Sequence, residues 1–413
     1  MSLPVYGIKN GKGSIPDHSA NPGNLALIIR VNYNLITWPA GDDIAVMAQN
    51  PFEPHSLIGR QGELQQLSQI LAEDGDVLIA GVPGIGRRTL IRAAAYQVGA
   101  RVLEIDCLRA TDPIRFLTLL AESLMTVFSQ EQELTIIQQW IAHQPLGLEQ
   151  RPGEALQLTW NLFAGGEWTL FQILLSLPQH LAEVLDCRVV MVFQNFPHIR
   201  SWDRHGKWEA YLRQEIQCQS RVSYALIATI AESWVQDSTL QVLSLAPLAD
   251  QDLWDWVEST LALKGLTFDP EGQALQLFLS FVQGHFGDAL ALLRRICLNR
   301  RMGDSLQSMG AGLIQAHQVY QSALELVEDL SVTFESLILL LPPSQVRVLE
   351  SLALDPTDSP HSREYIRRHQ LSRGGGLQGA LTSLEQKGLV YGPKHGYRIA
   401  LPMLAFWLKY RLA

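Results

Sequence analysis

The decapeptide GVPGIGRRTL, Gly81 to Leu90, follows the apolar run DVLIA and precedes a helical pattern that stops at Gly99. Strand, glycine turn and helix is the context of a phosphate-binding loop, G-x-x-x-x-G-K-[ST]. There the backbone N–H groups at a helix N-terminus wrap a phosphate. Gly81 and Gly86 have the required spacing, and Gly84 adds a third glycine. The lysine position holds Arg87 and the hydroxyl position holds Arg88. Arg87 keeps a charge but replaces a compact ammonium with a planar fork. Arg88 removes the metal-binding hydroxyl and brings a cation to the place of Mg²⁺. Thr89 is a poor substitute, since one further helical residue lies about 100° round the axis. The segment reads as a nucleotide cradle built from Gly81, Gly84, Gly86, Arg87, Arg88 and Thr89, or as a plain glycine turn.

The surrounding chain alternates strand and helix. After 76–80 comes the strand RVLEID (101–106), then the helical run DPIRFLTLLAESLMTVF. A helical period spans 168–185, RVVMVF (188–193) is continuously apolar, and SYALIAT (223–229) is a further buried strand. Continuous apolar strands separated by helices imply a doubly wound parallel α/β sheet. The α/β unit is expected over residues 47–245, with 129–166 as an insertion rich in Gln, Gly and Pro. Residues 1–46 read as a loose arm or a misassigned start. From 246 to 341 the pattern is helical and the strands disappear. Residues 342–413 give three short helices and a β-hairpin, the pattern of a winged helix.

A P-loop enzyme also needs a carboxylate pair at the end of a second apolar strand, one to hold the metal and one to activate water. The strand RVVMVFQNF ends in Gln194-Asn195 instead. Amides cannot hold a hard cation by charge or take a proton from water. Asp106 also ends a strand but follows the loop too soon. Metal ligands are therefore missing from both sides of the site, and the general base is missing too.

The chain resembles the STAND-class P-loop ATPases of the archaeal-type group, with an AAA-like core. The resemblance rests on PFEPHSLIGRQGEL, the degenerate loop, VLEIDC, LPQHLAEVLDCRVVMVFQNF, YLRQEIQCQSRVSYALIATI, LAPLADQDL, GHFGDALALL and the terminal FWLKYRL. It implies a helical lid after the sheet and a γ-phosphate sensor at Ala228-Thr229, so that Thr229 joins the cofactor-binding set. It also implies a phosphate or neighbouring-subunit contact at Arg213, although the residue by itself reads first as a surface or helix-packing arginine. The family's Gly-His-Pro lid motif stands here as Gly284-His285-Phe286, leaving His285 as a lid contact or a helix cap. Trp254 and Trp256 read as packing residues.

The 413 residues carry a net charge of −9, with 47% hydrophobic and 18% charged. That is a globular composition. Cys107, Cys187, Cys218 and Cys297 lie far apart and read as free thiols of a reducing compartment. No apolar run approaches the roughly 20 residues of a membrane helix, and the first residues do not show the basic start and apolar core expected of a signal peptide. A cytoplasmic protein without membrane contact is expected.

From His361 onward nine basic residues face two acidic ones, on an otherwise acidic chain. Arg367, Arg368, Arg373, Lys394 and Arg398 are the candidate contacts to DNA or to a partner protein. The preferred reading is an intramolecular clamp or protein-binding surface set against the acidic core. Gly374-Gly375-Gly376 offers no base-reading side chain before the recognition helix.

The sequence thus predicts a pseudo-ATPase without catalytic or metal-binding residues, acting through protein contacts, with self-association open. ATP or ADP, if bound, is held without Mg²⁺. The alternatives are a DNA-binding initiator or regulator and a weak active ATPase.

Overall fold

The computed structural model describes residues 57–150, 156–160, 166–216, 219–304, 312–372 and 374–412. The arm 1–46, the first six residues of the PFEPHSLIGRQGEL entry (51–56), Cys218 and Arg373 lie outside these residues.

The sheet is built from β1 (Val77–Ala80), β2 (Arg101–Asp106), β5 (Val189–Gln194), β6 (Val222–Ala228) and β7 (Gln241–Ser244), in the order β2-β5-β6-β1-β7. All four pairings are parallel. Side chains alternate between the faces. Val77, Ile79, Val190, Val192, Ala225 and Ile227 pack with α1 (Gln61–Ala72) and α2 (Arg87–Gln97). Leu78, Leu103, Ile105, Met191, Phe193, Tyr224 and Leu226 pack on the opposite face with α3 (Pro113–Val127) and α5 (Gly166–Val184). Both faces of β1, β5 and β6 are covered, which is why these three strands carry no polar alternation. β7, with the pattern QVLS, escapes the sequence reading because it is an edge strand exposed at three of four positions.

The expected insertion between α3 and α5 contains α4 (Glu131–Ile141) and the antiparallel pair β3 (Leu146–Glu149) and β4 (Gln157–Trp160). Chain order continues with α6 (Lys207–Glu215), α7 (Asp250–Ala262), α8 (Ala274–Val282), α9 (Phe286–Asp304) and α10 (Ala316–Leu339). The expectation that strands disappear after 245 needs one correction. Two-residue strands β8 (Thr267–Phe268) and β9 (Leu313–Ile314) pair in parallel and staple the ends of two loops. They are too short to leave a periodic trace.

The last segment folds as α11 (Pro343–Leu354), α12 (Arg363–Arg368), α13 (Gly375–Gln386), the hairpin β10 (Val390–Tyr391) and β11 (Arg398–Ile399), and α14 (Pro402–Leu412). It shares one continuous core with α7 to α10, from Leu253 and Phe278 to Leu384 and Trp407. Trp256 is buried edge-on to Phe286, while Trp254 is exposed.

Candidate functional site: a glycine loop closed from above

The glycine loop leaves β1 at the carboxyl end of the sheet and enters α2 at Arg87. Gly84 and Gly86 take φ of 86° and 100°, a region that side chains resist. Gly81 N donates to Ala228 O at 3.2 Å, tying the loop to β6.

The structure separates the two arginines. Arg87 Nη1 turns inward and donates to Gly81 O at 2.8 Å and Ala228 O at 2.9 Å. Burial lowers its pKa to about 10, so it stays cationic at neutral pH. Arg88 turns away and pairs with Glu104 of β2, and Arg92 holds the other oxygen of the same carboxylate. Gln194 Nε2 adds a third donor to Glu104 at 3.0 Å. Burial alone would raise the Glu104 pKa, but the hydrogen bonds and charges of Arg92 and Arg88 outweigh it and hold the carboxyl below the ordinary range. Asn195, at φ 53°, donates through Nδ2 to Asp106 Oδ1 at 3.2 Å. Thr89 is exposed.

Glu104 is the residue that the sequence reading missed. It lies in register opposite Val192 on the neighbouring strand, two residues short of Gln194. The RVLEID pattern, with a charge inside an otherwise apolar strand, was the available signal. Arg88, Arg92, Glu104 and Gln194 thus form a four-membered ionic and amide cluster. Among the described residues, no group of three or more His, Cys, Asp or Glu is placed to hold a metal ion.

The lid covers the loop directly. His285 is 1% exposed, and its Nε2 lies 2.8 Å from Pro83 O. Its ring sits where Gly84 lacks a side chain: a Cβ there would be 2.7 Å from the imidazole. Gly287 N donates to Gly84 O at 3.0 Å. His285 is therefore a lid contact, and through Asp288 N donating to Nδ1 at 3.1 Å it is a helix cap as well.

The winged helix also reaches the loop. Gly388 is pressed against Pro83 and Thr229, so that a Cβ would meet them at 2.9 and 3.0 Å. Tyr391 and Ala400 of the wing are buried in the same core as Val82 and Ile85. Arg213 is engaged within the chain, ion-paired to Glu209 and stacked 3.7 Å over the Trp234 ring. Glu209 is also held by Arg200, which bridges on to Glu232.

The basic end is partly committed. Arg368 pairs with Asp355 and Glu364, and Arg398 lies over the Tyr391 ring. The exposed side of α13 presents Gly375, Gly376, Gln378 and Gly379.

Residues 332–410 match the family described as a probable winged helix domain. A Walker-type ATPase of Pyrococcus abyssi superposes with a TM-score of 0.59 at 15% identity, over 87% of this chain and 99% of that one. The chain has the fold of a P-loop ATPase. The ORC2 protein of Aeropyrum pernix in its ADP form gives a TM-score of 0.50 at 14% identity, over 88% of this P-loop chain and 98% of that one. A search of curated proteins finds no match. No described helix is long and apolar enough to cross a membrane.

Proposed function

We propose that this P-loop chain is a catalytically silent, STAND-like regulatory module whose conformation, rather than turnover, carries its signal to a protein partner. The observation that carries this reading is the cluster at Glu104. Phosphoryl transfer needs a divalent metal and a positioned base, each worth several kcal/mol of transition-state stabilisation. Here Arg88 is spent on Glu104, and the positions of the metal-holding and water-activating carboxylates are the amides Gln194 and Asn195. Glu104 cannot act as base while it bridges two guanidinium groups.

The glycine loop with Arg87 remains a frame for a phosphate, so ATP or ADP is the ligand class to test. Arg87 already satisfies two carbonyls, so an incoming phosphate must compete with those bonds. Binding in this reading does not call on Mg²⁺. Calorimetry with ATP and ADP, with and without EDTA, tests it: binding unchanged by EDTA, or no binding in either condition, supports the reading, and affinity that requires Mg²⁺ refutes it.

The contact of Gly388, Tyr391 and Ala400 with the loop favours the clamp role of the winged helix over a DNA-binding role. In this account the wing is seated on its own core and the full-length chain binds DNA weakly.

A further inference from the structure

We propose that the His285–Asp288 pair is a latch that joins glycine loop, lid and winged helix, so that loop and wing release together. Four groups meet in one buried chain. Pro83 O of the loop lies 2.8 Å from His285 Nε2, and His285 Nδ1 lies 3.3 Å from Asp288 Oδ1. Asp288 Oδ2 then accepts from Met403 N, at the start of α14, at 3.0 Å. The two side chains are almost fully buried, 1% and 3% exposed.

A residue that merely capped α9 would need only the bond from Asp288 N to His285 Nδ1. The remaining contacts point outward to two other parts of the molecule, 202 and 115 residues away in sequence. His285 follows the turn Gln283-Gly284 between α8 and α9, where both residues have positive φ, 45° and 78°. The latch thus stands at the joint about which α9 would swing. Gly84 leaves room for the imidazole, and Gly388 seats the wing on Pro83, the residue His285 holds. Any movement of Pro83 breaks the first link. Any movement of α14 breaks the last.

The inference concerns regulation of the site proposed above but does not depend on nucleotide binding, so it is tested without ligand. Hydrogen exchange of the full chain is compared for wild type, Asp288→Ala and Gly388→Ala. Asp288→Ala removes the acceptor of Met403 N and the partner of His285. Gly388→Ala pushes the wing from Pro83 and Thr229. In each variant the amides of 81–86, 284–290 and 388–404 are expected to exchange about tenfold faster or more, in step, while β5 keeps its protection. Loosening confined to the segment around the substitution in either folded variant overturns the latch. If Asp288→Ala also loses protection in β5, it is unfolded and Gly388→Ala alone decides. Failure of nucleotide binding in the calorimetric experiment would leave this result unaffected.

Discussion

Arg88 of the phosphate loop is ion-paired to Glu104 of the neighbouring strand, and Arg92, four residues further along the helix, holds the same carboxylate. This partly buried anion between two cations turns the Arg88 charge away from the loop, leaving Arg87 as the loop's own cation. Gln194 donates to the same carboxylate. These residues explain one another as a structural joint between β2, β5 and α2.

Glu104→Gln should therefore destabilise the fold. It leaves two guanidinium groups facing each other across a site whose carboxylate is 14% exposed. The arginines are about a third and a quarter exposed, so water recovers part of the loss. A decrease of about 1–3 kcal/mol in urea unfolding is expected. Because the Glu104 pKa is depressed in the folded state, its contribution is present above the unfolded value and lost as pH falls through the folded one. The difference between wild type and variant should shrink in acid.

Gln194→Asp, which restores the expected metal ligand by name, should lower stability and create no ATPase. It replaces a donor 3.0 Å from Glu104 with a second anion. A lowered Tm at neutral pH, with hydrolysis at background, is the expected pair of results.

Asp76 gives a separate pH signature at the other end of the sheet. Burial raises its pKa to about 7, against the opposing hydrogen bond from Tyr224 N at 2.7 Å. A carboxyl that ionises less readily folded than unfolded favours folding below its unfolded pKa of about 4. That advantage is lost as pH rises towards 7. Asp76→Asn should flatten this part of the stability profile, measured by denaturant midpoints from pH 4 to 7.

His285 adds a second window. Burial opposes its charged form, but Asp288 and the bond to Pro83 prevail and its pKa is raised. The neutral ring accepts from Asp288 N, and the cationic ring turns the same nitrogen to Oδ1. Its electrostatic contribution is complete below the ordinary histidine value of about 6.5 and falls as pH rises through the folded value. His285→Phe should lose that slope. The groups facing this pair include Asp288 on its own helix and, on the wing, Tyr391, whose hydroxyl burial pushes up to about 12, out of this range.

The sheet was legible because strands buried on both faces leave unbroken apolar runs, as at VVMVF and SYALIA. The winged helix was legible from its short helices and turn glycines. The edge strand β7 was not, since its exposed QVLS carries no such run. The glycine loop announced itself by spacing, but the direction of Arg88 could not be read. It depends on Glu104, sixteen residues away and on another strand. Likewise the union of His285 with Met403 joins positions 118 apart along the chain, and no local pattern encodes it.

The seated wing predicts weak DNA binding by the full chain. Arg367 and Lys394 stay exposed on the seated wing, so any contact they make is to phosphates rather than to base edges. Any affinity should fall with salt by a log–log slope of about −0.9 per phosphate contacted, with little sequence preference. Anisotropy titration at two salt concentrations reads both. Tight, sequence-selective binding by the unaltered chain would favour the initiator reading instead.

The central claim, that this loop no longer turns over nucleotide, is tested most directly by steady-state ATP hydrolysis of the full chain in Mg²⁺, beside Arg87→Ala. The account predicts both rates equal to the buffer background. A rate above background that Arg87→Ala abolishes would contradict it.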